Sequence, residues 1–85
     1  MDRITIIFDN QGTGKQTNLE IPLSITANDL IIALNNAYSL NMDTENIFHC
    51  YLVSENPIAF LRGNKLLSDF GLYTGSKIIY KGERK

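Results

Sequence analysis

The chain is 85 residues long, 44% apolar and 20% charged, with a formal net charge of −1. That length holds a single domain with one modest core and excludes TIM barrels and dinucleotide-binding folds. The near-neutral balance lacks the basic footprint of nucleic-acid binding, and one cysteine, Cys50, excludes an internal disulfide.

Arg3 to Asp9 reads as a strand, with Ile4, Ile6 and Phe8 on one face and Thr5 and Ile7 on the other. Asn10 to Thr17 carries two glycines among polar residues and reads as a turn. Asn18 to Leu23 is a second strand, with Leu19, Ile21 and Leu23 alternating. The two strands make a hairpin, and Pro22, which has no N–H to donate, puts the second at a sheet edge.

Thr26 reads as a helix N-cap, with Asp29 at the third helical position. Leu30, Leu34, Ala37 and Tyr38 follow at helical spacing, Ile31 widens the stripe, and the helix is expected to end near Leu40–Asn41. Asn46 to Ser54 predicts a third strand, Ala59 to Arg62 a short fourth, and Lys77 to Lys81 a last one. Leu66 to Leu72 reads as irregular or as a short helical turn. A hairpin, one amphipathic helix and later strands predict an α+β fold: a mixed sheet of four or five strands with the helix on one face. The last strand is the natural partner of the first, which is a β-grasp arrangement. Residues 1–82 form the expected domain and 83–85 a short charged tail.

Little here points to catalysis. Gly12-Thr13-Gly14-Lys15 suggests a phosphate loop, but Asp9 stands where the upstream glycine belongs, Gln16 follows the lysine, and no helix comes next. His49 and Cys50 are strand neighbours and point to opposite faces, so they do not pair as nucleophile and base. Phe48, Cys50 and Leu52 form the inward set, which makes Cys50 a small core residue. One histidine and one cysteine cannot build a zinc site of the usual spacing. The carboxylates are scattered, and Asp29 and Asp69 fit helix-start and turn roles. No enzymatic activity and no cofactor or metal are expected.

The sheet face away from the helix is more informative. It should carry Ile7 from the first strand, His49, Tyr51 and Val53 from the third, and Lys77, Ile79 and Lys81 from the last. That is an apolar patch with a cationic rim, the composition of a protein-binding surface. Residues 62–85 hold six basic side chains against two acidic ones, while residues 1–61 hold two against seven. That surplus reads either as a solvated charged tail or as a basic edge that meets an acidic partner.

These pieces resemble ubiquitin. Thr17 to Leu34 (TNLEIPLSITANDLIIAL) is similar to ubiquitin's second strand and helix entry, and Leu66 to Leu72 to its leucine-serine-aspartate-tyrosine segment. Within that superfold the chain resembles the small bacterial ubiquitin-like proteins YukD and EsaB. The shared pattern is Gly63, Leu67, Asp69, Phe70, Gly71, Leu72, Gly75 and Ile78-Ile79. The resemblance implies a cytoplasmic accessory of the type VII (Ess/Yuk) secretion system of Gram-positive bacteria. Its implied partners are cytoplasmic domains of that membrane machinery. The reducing environment suggested by a lone cysteine agrees, as do an N-terminus unlike a signal peptide and the lack of any membrane-length apolar run.

The sequence departs from conjugated modifiers. It ends Lys81-Gly82-Glu83-Arg84-Lys85, with one glycine where a modifier carries two, so conjugation and sulfur carriage are not expected. Where ubiquitin's recognition patch has a histidine on the last strand, this chain has Ile79. The alternative function is a small β-grasp subunit of a multicomponent enzyme such as a monooxygenase. Exposed edge strands and the apolar face also make a homodimer a candidate assembly.

Overall fold

Branched residues at every second position hold β1 (Arg3–Asn10) extended and send Ile6 and Phe8 to the same buried face. The computed structural model describes residues 3–40 and 51–81. At the end of β1, the Asn10 carbonyl accepts from the N–H groups of Thr13 (3.2 Å) and Gly14 (2.8 Å), and its Oδ1 accepts from Gly12 N–H (3.0 Å). Gly14 closes the turn at φ 78°, where a Cβ would be strained.

The turn is therefore shorter than the sequence suggests. β2 (Lys15–Pro22) begins three residues earlier than expected, because Lys15, Gln16 and Thr17 pair with Asn10, Asp9 and Phe8. These polar residues are exposed, and the backbone ladder rather than any apolar alternation makes them a strand. β2 lies at the sheet edge, as Pro22 required.

The helix α1 (Ala27–Tyr38) opens with the expected cap. Thr26 Oγ1 accepts from Asp29 N–H at 3.0 Å, and Asp29 Oδ2 accepts from Thr26 N–H at 3.2 Å. The segment before the last strand satisfies the other first-turn donors. Ala27 N–H donates to the Lys65 carbonyl and Asn28 N–H to the Gly63 carbonyl, both at 3.0 Å. In return, Leu67 N–H donates to Ile25 O and Ser68 N–H to Leu23 O. This end of the helix is thereby bound into the fold.

The buried stripe of α1 is Ala27, Leu30, Ile31 and Leu34. Ala37 is exposed, against expectation, because the last turn faces the sheet through Tyr38 instead. Tyr38 is partly exposed, but its ring lies 5.1 Å from that of Phe8. Helix α1 stops at Tyr38 rather than near Leu40–Asn41. Ser39 takes a left-handed conformation (φ 54°), and its N–H returns to the Asn35 carbonyl.

Three strands complete the sheet: β3 (Leu52–Glu55), β4 (Ala59–Leu61) and β5 (Lys77–Tyr80). A 3-10 turn, Leu67–Phe70, occupies the segment read as irregular or helical. The expected third strand began at Asn46, but 46–50 lie outside the described residues. The sheet order is β2-β1-β5-β3-β4, with β1 and β5 parallel and the other neighbours antiparallel. This is a β-grasp sheet. Ile6, Phe8, Leu52, Leu61, Leu67 and Ile78 are fully buried on the face that α1 covers. Tyr80 packs against this core, and its hydroxyl donates to the Leu40 carbonyl at 2.8 Å.

Two fully buried serines fix the β3–β4 turn, Ser54 from within β3 and Ser76 from the loop that enters β5. Ser54 Oγ donates to the Pro57 carbonyl at 2.6 Å. Ser76 Oγ donates to the Asn56 carbonyl and accepts from Tyr73 N–H at 3.1 Å. Replacing Ser76 by alanine is expected to strand both partners and destabilise the fold by about 1–3 kcal/mol. Thr26→Ala should cost about 1 kcal/mol through the lost cap. Urea unfolding monitored by circular dichroism measures both, and unchanged midpoints would show that these hydroxyls contribute nothing.

Candidate functional site

The site is built from the side chains that β1, β5, β3 and β4 present away from α1. Paired residues in a sheet share a face, so the register fixes its membership. Ile79 stands between Asp9 on β1 and Val53 on β3, and Val53 stands opposite Phe60 on β4. Lys77 lies between Ile7 and Glu55. Continued by two residues, the same register puts Tyr51 between Lys81 and Arg62. The Tyr51 and Phe60 rings meet edge to face, with centroids 5.6 Å apart and planes at 79°.

Six of the seven residues expected from the sequence therefore share one face. Ile7, Tyr51, Val53 and Lys77 are half-buried and Lys81 is exposed. His49 lies outside the described residues. Ile79 is on the outer face, as alternation requires, yet only 6% exposed. It belongs to neither the helix-covered core nor the free surface. It is the floor of the patch, walled by its neighbours on both sides.

The sequence reading missed Phe60, which is 64% exposed and the most prominent apolar side chain within the strands of this face. Its strand is only three residues long, too short for alternation to give a period. The one usable signal was its place two residues after Ile58, beyond the Asn56-Pro57 turn.

Every deeply buried side-chain nitrogen and oxygen among the described residues has a hydrogen-bond partner. Among the same residues, no group of three or more His, Cys, Asp or Glu side chains is placed to hold a metal. No helix among them is long and apolar enough to cross a membrane.

No protein-family model matches the sequence, and no curated protein matches it. Solved structures do. The C-terminal ubiquitin-like domain of mouse tubulin-specific chaperone e is similar over 99% of this chain and 90% of its own, with a TM-score of 0.74 and 12% identity. The ubiquitin-like domain of yeast Ddi1 is similar over 100% and 94%, with a TM-score of 0.71 and 16% identity. The ubiquitin-like domain of the Mycobacterium tuberculosis type VII secretion system protein ECCD1 is similar over 93% and 97%, with a TM-score of 0.55 and 13% identity. The fold is thus ubiquitin-like, and identities this low establish the fold alone.

The floor and the wall of the patch should respond differently to charge. Ile79→Asp places a carboxylate at a desolvated position and is expected to destabilise the fold by about 3 kcal/mol or more. Phe60→Asp should change stability by less than about 1 kcal/mol. Thermal melts of both variants check this, and equal losses would mean that Phe60 is structural.

Proposed function

We propose that this chain is a non-catalytic docking module serving as a cytoplasmic accessory of a Gram-positive type VII secretion system. The observation that carries the docking reading is the outer-face cluster of Tyr51, Val53, Ile79 and Phe60. Lys77, Lys81 and Arg62 flank it, together with Asp9 beside Ile79 and Glu55 beside Lys77. A paired aromatic wall over a buried aliphatic floor, with charge at the margin, is the build of an interaction hot spot. The cations would steer an approaching partner and the aromatics would hold it. The secretion assignment draws support from the sequence resemblance to YukD and EsaB. The likeness in fold to a ubiquitin-like domain from a mycobacterial type VII system agrees with it.

In this reading the partner is a cytoplasmic domain of the secretion machinery, and the module assembles or regulates it by occupancy alone. The test is affinity capture from solubilised native cells, with wild type and Phe60→Asp side by side. Phe60→Asp replaces Ile79→Asp as the probe because Ile79 is too buried to report on binding alone. Recovery of secretion-machine membrane proteins by wild type only is the expected result. Equal recovery by both proteins would remove the aromatic wall from the site. Recovery of oxygenase subunits would replace the reading with that of a small subunit of an enzyme complex.

A further inference from the structure

The two edges of the sheet differ in how they are protected. β2 is eight residues long and carries Lys15, Glu20 and Pro22, the charges and proline that discourage another strand from pairing. β4 ends the other side with Ala59, Phe60 and Leu61 and has no charge within the strand. It is protected by its shortness and by the 3-10 turn Leu67–Phe70, which packs against it. Ile58, the residue that enters it, is 85% exposed, and Phe60 is 64% exposed.

We infer that β4 is a self-association edge, at which a second copy of this chain pairs antiparallel across a two-fold axis centred on Phe60. A two-fold axis perpendicular to the sheet pairs residues of like parity, so Phe60 meets Phe60 of the partner subunit. Ile58 then stands opposite Arg62 of the partner subunit. This register is complementary in charge as well as shape. Glu55 immediately precedes the tight turn at 56–58, which ends at Ile58, and Lys77 stands beside Glu55 on β5. In this register Arg62 of the partner subunit comes to the β3–β4 turn, where its long side chain and that of Glu55 can reach each other. The two-fold axis repeats the pair. The outcome is a continuous ten-stranded sheet whose two outer faces meet at Phe60, leaving Ile79, Val53 and Lys77 of each copy away from the seam. With three residues per edge the dimer is small and therefore weak and concentration-dependent.

Sedimentation equilibrium of the purified chain, from about 10 μM to about 1 mM, tests this. Wild type is expected to shift from monomer towards dimer across that range. Phe60→Asp should weaken the dimer at least about tenfold. Arg62→Glu and Glu55→Arg each set like charges against each other and should weaken it about three- to tenfold, while the double variant recovers most of the loss. A monomer at every concentration would overturn the inference. So would a dimer indifferent to Phe60→Asp, or a double variant no better than the singles. These readouts use pure protein, so their failure is separate from any failure to capture a secretion partner.

Discussion

Two antiparallel pairs, β1 with β2 and β3 with β4, become one sheet only because β5 runs between them. The parallel junction of β1 and β5 is the constraint on which the rest depends. Gly75 N–H donates to Thr5 O, Ile7 N–H to Ser76 O and Gln11 N–H to Tyr80 O, each at 2.9 Å. Helix α1 carries the chain from β2 at one edge to β3 across this junction and covers the inner face on the way. Phe8 and Ile78 lie opposite each other at the junction, and both are buried beneath the helix. The same ladder sets Ile79 beside Asp9 on the outer side. One register therefore organises both the core and the patch.

That register explains an apparent contradiction in Ile79. Alternation assigns it to the surface, while its surroundings bury it. A residue in the middle strand of a five-stranded sheet has neighbours on both flanks, and here they are large enough to close over it. The outer face thus has a small packed layer of its own, separate from the helix-covered core.

Much of the fold was legible from spacing. Thr26 and Asp29, three apart before an apolar stripe, predicted a cap that forms in both directions. Pro22 predicted an edge, and the alternation of Ile4, Ile6 and Phe8 predicted a buried face. What escaped notice depends on tertiary surroundings. Lys15–Thr17 are a strand because a partner pairs with them, not because of their own pattern. Ala37 sits at helical spacing, but its neighbour Tyr38 takes the place against the sheet. Phe60 lies in a strand too short to show a period. Of the site, alternation gave the face correctly for the described residues, but it carried no information about how deeply each would be covered.

The hydroxyl of Ser76 ties the loop entering β5 to the turn between β3 and β4. The aromatic wall and the aliphatic floor of the outer patch stand on those same elements. The latch makes them a single mechanical unit, so neither can shift without breaking a buried hydrogen bond. An incoming surface would meet a shape already set. Little conformational entropy would then be lost on this side of the contact, and even a small interface could discriminate between partners.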